Sequence, residues 1–153
     1  MKQEFSSNPH ELAQAKITFW FYAGSIPIII FLLFVLPAIR KGAFTFSIFT
    51  IATAVLILVL LYLTYRAYRV MHAIQTSRCT LTAETISGVS TPDPFHGSET
   101  FTIRREEILG IAKKQINISM TRFFNAIVLN TQNKQYVLFA IERPEELLKE
   151  LQS

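Results

Sequence analysis

The chain has 153 residues, half of them hydrophobic, a single cysteine and a formal net charge of +4. This length leaves room for one membrane unit and one small domain. The lone cysteine, Cys79, excludes an internal disulfide, and the scattered histidines (His10, His72 and His96) lack the spacing of metal ligands.

The positive charge is unevenly distributed along the chain. Residues 1–72 hold six basic and two acidic residues, whereas residues 73–153 hold nine of each. The excess therefore belongs to the half of the chain that contains the long apolar segments. A nucleic-acid-binding domain would need a positive face on the second half, so the charge pattern argues against nucleic acid as a partner.

Two long apolar segments dominate the first half. Residues 17–39 and 42–65 contain no charged side chain. At a rise of about 1.5 Å per residue, each segment is long enough to cross a hydrocarbon core of about 30 Å. They predict a transmembrane hairpin over residues 17–76, with helices at about 17–39 and 43–76, the second of which continues past the membrane.

The polar residues 1–16 form an arm before this hairpin, with Asn8-Pro9 as a breaker. Residues 10–16 could form a short interfacial helix, but a frayed terminus is the favoured interpretation. The connection at residues 37–43 is short, which predicts antiparallel helices whose outer ends lie on one side of the membrane. Five basic residues flank those outer ends, against Arg40 and Lys41 in the connection: Lys2, Lys16, Arg66, Arg69 and Arg78. The positive-inside rule therefore predicts a multi-pass protein of the cell (inner) membrane with both termini cytoplasmic. Arg66 and Arg69 are predicted to face lipid phosphates, so the lipid bilayer is one expected partner of the chain.

From Arg78 onward the apolar pattern changes to the alternation and β-branched composition of strands. Seven strands are predicted, at residues 79–83, 86–90, 99–103, 107–112, 115–121, 125–131 and 135–141. Pro92, Asp93, Pro94 and Gly97 mark the longest loop, and residues 132–134 mark a turn. This pattern favours an antiparallel barrel or sandwich.

A short amphipathic helix is predicted after the last strand. Pro144 suits its first position, and Glu145 and Glu146 suit the positive end of its dipole. A nine-residue helix is marginal alone, so we expect its leucines, Leu147, Leu148 and Leu151, to pack on the sheet.

Four segments carry a family resemblance: Leu81 and Thr82 before Ile86, FTI at 101–103 leading into Glu107 and Ile108, AIVL at 126–129, and IERPEEL at 141–147. Together with the order of elements, they resemble bacterial pleckstrin-homology-like (PH-like) domains that follow a pair of membrane helices. The resemblance implies that residues 78–153 form an α+β or all-β domain, a seven-stranded antiparallel PH-like barrel capped by the C-terminal helix. It also implies a scaffold for binding and not for catalysis. The first strand connection here is Ala83-Glu84 and not a basic cluster, so phosphoinositide binding through that loop is not expected.

Two groups of residues could contact the membrane surface or a partner. Arg104, Arg105, Lys113 and Lys114 could form one basic patch; the favoured alternative is solvated edge charges balanced by Glu106 and Glu107. The aromatic turn around Arg122 contains Phe123 and Phe124, which could dock a partner if exposed; burial is favoured because so small a domain needs its large side chains for a core.

No group of residues in the sequence has the composition and spacing of a catalytic site. His96 with Asp93 nearby has no nucleophile beside it, and Cys79 has no evident base. We therefore expect no catalytic residue, no cofactor and no bound metal, and no small-molecule substrate is evident.

The sequence predicts a membrane protein that displays a cytoplasmic β-domain as a protein-interaction or regulatory module. Its partner would be another protein or a second copy of the chain. The alternative is a small oligomeric transporter or channel. It would have to be an oligomer, because two helices cannot enclose a path alone. That alternative would line the path with Ser47, Thr50 and Thr53.

Overall fold

A computed structural model describes residues 2–35, 48–119 and 122–152, with backbone alone at 48–50, 117–119 and 122–123. The chain divides into two compact units. The β unit comprises Met1–Gln14 and Arg69–Ser153, and the helical unit comprises Ala15–Tyr68. The β unit is therefore assembled from sequence on both sides of the apolar hairpin.

Two long helices connect these parts of the chain. Helix α1 spans Pro9–Ile30 and continues into a π-helical turn at Phe31–Val35, four residues after Pro27. Helix α2 spans Ile48–Thr76 and so ends where the sequence predicted. Both helices are long and apolar enough to cross a membrane. The predicted connection at 37–43 lies outside the described residues.

Helix α1 begins eight residues earlier than the predicted start at Ile17. The side-chain oxygen of Asn8 accepts hydrogen bonds from the backbone N–H groups of His10 and Glu11, at 3.0 and 3.3 Å. Asn8 is thus the N-cap, and Pro9 takes the first helical position, where its missing N–H costs nothing. The Asn-Pro pair therefore starts the helix, and residues 9–16 join it instead of remaining in a separate arm.

The strands form two open antiparallel sheets. The first has the order β1-β2-β3-β4, with strands Gln3–Phe5, Cys79–Leu81, Thr85–Asp93 and Gly97–Arg104. The second has the order β5-β6-β7, with strands Gly110–Ser119, Arg122–Asn130 and Gln135–Phe139. A short 3-10 helix, Arg105–Glu107, links the two sheets.

The described residues form seven strands, which is the predicted number, but the set of strands differs from the predicted set. Residues 110–112 and 115–119 of the predicted fourth and fifth strands belong to one strand, β5, which runs through Lys113 and Lys114 without a break. Because β5 is an edge strand, its lysines can reach water while the backbone still pairs with β6. The strand that brings the number to seven is β1, which comes from the N-terminal arm.

Backbone hydrogen bonds hold this arm to the first sheet and to the residues that follow β7. Phe5 pairs with Cys79 in the first sheet, where β1 runs antiparallel to β2. Further along, the Glu142 N–H donates to the Ser6 carbonyl and the Asn8 N–H donates to the Ala140 carbonyl, both at 2.8 Å, beyond the end of β7. The expected frayed terminus is therefore a strand that fastens the two sheets together along one side.

The core of the β unit lies between the sheets. The ring of Phe101 stacks on Tyr136 with centroids 4.6 Å apart, and the Val137 N–H donates to the buried Ser90 hydroxyl at 2.9 Å. Helix α3, Pro144–Gln152, begins at the predicted residue and buries Leu147 in the same core. The other buried members of this core are Phe5, Cys79, Leu81, Ile86, Phe101, Ile103, Ile127, Leu129, Leu138 and Ile141.

Candidate functional site

The basic residues at the β4–β5 connection are bound by neighbouring groups. Arg104 forms ion pairs with Glu106 at 2.9 Å and with Glu107 at 3.1 Å, as the alternative interpretation of this pair predicted. The Arg105 guanidinium donates to the backbone carbonyl of Glu150 in the last turn of α3. Both side chains therefore act within the β unit.

The two lysines of β5 differ in their contacts. Lys113 forms an ion pair with Glu145 in the first turn of α3, so it helps to hold that helix against the sheet. Lys114 is exposed and has neither an ion pair nor a hydrogen bond of its side chain within the described parts of the chain. The predicted basic patch is thus reduced to Lys114 as a cation open to a partner.

The two arginines near the end of α2 have different surroundings. The Arg66 guanidinium lies 5.8 Å from the ring centroid of Tyr62, one helical turn earlier. Arg69 donates through Nη2 to the Phe95 carbonyl at 3.0 Å and through Nε to the Pro94 carbonyl at 3.4 Å. Arg69, which is predicted to face lipid phosphate, therefore also holds the β3–β4 turn.

The aromatic turn is described only in part. Phe124 is 5% exposed, and its ring lies 5.6 Å from that of Phe139, which agrees with the predicted burial. A side chain in that position cannot dock a partner from outside. The side chain of Phe123 lies outside the described residues.

The residues weighed for catalysis do not form a reactive group. Cys79 is 1% exposed, and burial raises the pKa of its thiol to about 12, so it stays protonated and unreactive at neutral pH. His96 Nδ1 lies 2.6 Å from an Asp93 carboxylate oxygen at the exposed β3–β4 turn. Among the described residues, no three His, Cys, Asp or Glu side chains are grouped so as to hold a metal ion.

The hydroxyl groups of α2 show little sign of lining a path. Thr53 is buried, and the Thr64 hydroxyl donates to the Leu60 carbonyl of its own helix at 2.8 Å. The side chains of Ser47 and Thr50 lie outside the described residues. Packing and intrahelical bonding therefore account for the hydroxyls of Thr53 and Thr64.

Two long-range contacts were not predicted from the sequence. The amide of Asn125 on β6 donates to the Glu11 carboxylate at 3.4 Å, which joins the first turn of α1 to the second sheet. Arg69 joins the end of α2 to the first sheet. The only local signal was the placement of polar residues just outside the apolar segments, and that placement does not identify their partners.

No protein-family model matches the chain, and neither a curated protein nor a solved structure matches it. The functional argument therefore rests on the residues and their geometry.

Proposed function

We propose that the chain is an integral protein of the cell (inner) membrane whose β unit is a non-catalytic interaction or regulatory module at the cytoplasmic surface. Helices α1 and α2 cross the bilayer, and the β unit is a PH-like domain completed by the N-terminal arm. Its partner is a second protein or a second copy of the chain.

The surface of the helical unit supports the membrane assignment. Large apolar side chains point outward along both helices: Ile17, Trp20, Phe21, Ile28, Ile30, Phe31, Leu32, Val35, Ile51, Val55, Leu56, Leu58, Val59 and Leu61. Exposing apolar surface to water costs about 25 cal/mol per Å², so this surface belongs in lipid or against another protein. Trp20 near the start of α1 and Tyr62, Tyr65 and Tyr68 toward the end of α2 belong to the flank side of the hairpin, and these residue types suit an interfacial region.

The observation that carries the proposal is the pairing of β1 with β2. Strand β1 precedes both helices and β2 follows them, yet the two strands are hydrogen-bonded neighbours in one sheet. Such pairing requires that both flanks of the hairpin occupy the same compartment. The excess of basic residues in those flanks supports the cytoplasm as that compartment.

A module held in this way works by proximity. The chain tethers the β unit to the membrane helices on both sides, so the β unit is confined to the vicinity of the bilayer. This confinement raises its effective concentration toward other membrane-associated proteins without any new contact. The balanced charge of residues 73–153 argues against nucleic acid as the partner.

The orientation is tested by labelling Glu84→Cys, an exposed position in the β2–β3 connection, with a membrane-impermeant maleimide. We expect labelling in inverted inner-membrane vesicles and protection in intact cells. The unsubstituted chain is the control, because buried Cys79 should not react. Labelling of position 84 in intact cells would contradict the cytoplasmic assignment.

The interaction role is tested by native mass spectrometry of the tagged full chain, extracted gently from its own membrane. We expect a second protein at fixed stoichiometry, or a defined self-complex, that Lys114→Glu weakens. Lys149→Glu makes the same charge change on the exposed last turn of α3 and is the matched control. A closed homo-oligomer unaffected by Lys114→Glu would count against the module and favour the transporter or channel.

A further inference from the structure

The connection between β7 and α3, residues 140–143, contains two strained positions. Ala140 has a φ of 50° and Arg143 has a φ of 51°. This left-handed conformation costs free energy in any residue that carries a Cβ, and glycine is its usual occupant. The surrounding structure therefore has to hold both residues in place. Strain of this kind is common in segments that change conformation.

The N-terminal arm supplies one set of the contacts that hold the connection. The Ala140 carbonyl accepts the Asn8 N–H, and the Ser6 carbonyl accepts the Glu142 N–H, both at 2.8 Å. The Ser6 hydroxyl also donates to the Glu142 carboxylate at 3.1 Å. All of these residues belong to the β unit. The arm is therefore bonded to the connection at successive points, through backbone and side chain.

The second strained residue, Arg143, contacts the arm and also starts α3. Its guanidinium lies 5.8 Å from the ring centroid of Phe5, which is 3% exposed. Its carbonyl accepts the N–H groups of Glu146 and Leu147, each at 3.2 Å, in the first turn of α3. The backbone at Arg143 thus sets the direction in which α3 leaves the connection.

Helix α3 needs such a fixed starting point. A helix of nine residues is marginal by itself. Leu147 is fully buried in the core, whereas Leu148 and Leu151 are only half-buried. Pro144, the first residue of α3, follows directly on the strained connection. The position of α3 on the core therefore depends on the conformation of residues 140–143.

We propose that the N-terminal arm and α3 are coupled by a latch made of residues 5–8 and 140–143. The docked arm keeps the connection in the strained conformation that places α3 on the core. When the arm leaves, the connection relaxes to an ordinary backbone conformation and α3 detaches. Asn8 is the N-cap of α1, so a displacement of the first turn of α1 reaches α3 through the latch.

The latch goes beyond the interaction role proposed above, and it requires neither the bilayer nor a partner. It gives the β unit two states, one with α3 on the core and one with α3 released. Release uncovers the side of the core that Leu147 fills, and it separates Lys113 from Glu145. The surface that the β unit presents would then depend on a strand that precedes α1.

The test places a negative charge at the contact between the arm and the connection. Ser6→Asp replaces the hydroxyl that donates to Glu142 by a carboxylate that repels it. Hydrogen–deuterium exchange of the full chain in detergent micelles reports separately on β2, β6 and α3. We expect the α3 amides to exchange about tenfold faster, the factor that loss of a hydrogen bond to a charged group brings. The amides of β6, the central strand of the second sheet, should keep their rates.

Two control variants accompany this one. Ser98→Asp makes the same change at an exposed position of β4 and should leave the exchange of α3 unchanged. Ser6→Asp combined with Glu142→Gln removes the repulsion, so α3 should return toward its native rate. Faster exchange in β2 with unchanged α3 would overturn the latch, because the arm would have left without α3. An equal increase in β6 would also overturn it, because the whole β unit would then be opening.

The strained backbone provides a second test. Ala140→Gly relieves the strain, since glycine adopts a φ of 50° readily. The connection can then keep its conformation without the arm, so Ser6→Asp should accelerate α3 exchange less in this background. Ala112→Gly makes the same substitution at an exposed position of β5 and should leave the acceleration at its full size. If Ala140→Gly also leaves it at full size, strain does not couple the arm to α3 and the proposal is overturned.

Discussion

The two units of this protein place large apolar side chains differently: the β unit buries them, and the helical unit exposes many of them. In the β unit, Phe5 is 3% exposed and Leu147 is fully buried, whereas in the helical unit Trp20 and Phe21 are each 69% exposed. The first pattern is that of a hydrophobic core, and the second is compatible with helices that cross a membrane. A phenylalanine or a glycine should therefore have a different energetic role in each unit, and matched substitutions measure that difference.

The largest difference is expected for phenylalanine. Phe5→Ala removes a core side chain from β1, and such truncations cost about 3–5 kcal/mol. We expect the amides of β2 to exchange with deuterium far faster, because the β unit opens more often. Phe21→Ala in α1 should leave those rates unchanged, since its ring lies on the exposed face of the helical unit. Equal effects of the two variants would show that the units do not differ in this way.

Glycine provides the second matched pair. A Cβ on Gly88 would lie 2.5 Å from the Arg78 carbonyl oxygen and 3.2 Å from the Cys79 Cα, and both of these are backbone atoms that cannot easily move aside. We expect Gly88→Ala to destabilise the β unit by about 1–3 kcal/mol or more, as overpacked cores do. Gly24→Ala in α1 meets nothing within 4 Å and should not lower stability. The urea midpoint of the β unit in detergent micelles measures both variants.

Serine provides a third matched pair, for which the expected difference in stability is smaller. Ser90→Ala leaves the buried Val137 N–H without an acceptor, which costs about 1–3 kcal/mol. The Ser25 hydroxyl donates to the Phe21 carbonyl of its own helix at 2.7 Å, so Ser25→Ala leaves no N–H unpaired. Hydrogen exchange at Val137 should rise for Ser90→Ala alone. Unchanged exchange at Val137 would mean that another group accepts its N–H.

The smallest effect is expected at the surface of the β unit. Lys113→Gln removes the ion pair with Glu145, and exposed pairs of this kind contribute about 0–1 kcal/mol. The loss should shrink further as salt rises. Lys114→Gln on the same strand is the control, and thermal melting at low and high salt compares the two. A large loss for Lys113→Gln would show that α3 depends on this pair more than on Leu147.

Features encoded by local sequence could be predicted. The end of α2 follows the last apolar turn, α3 begins at Pro144 beside two glutamates, and residues 132–134 form the turn before β7. Each of these depends on residues that are close in the sequence.

Features that depend on distant partners could not be predicted. Phe5 belongs to a strand of three residues whose partner lies beyond the whole hairpin, so no alternation long enough to recognise was present. Lys113 and Lys114 suggested a break that pairing with β6 overrides. Among the candidate contacts, the bonds of Arg69 and Arg105 run to backbone carbonyls, which carry no sequence signal.

The order of synthesis gives the N-terminal arm a further consequence. Strand β1 leaves the ribosome before the two helices, but its partner β2 is made only after both of them. Closing a flexible loop of that length costs on the order of 4 kcal/mol, which a hairpin inserted in the bilayer removes by returning the chain to its starting side. A hairpin with one helix left out would keep Phe5 and Cys79 in different compartments. With the helices placed as proposed, a completed β unit is therefore evidence that membrane insertion was completed too.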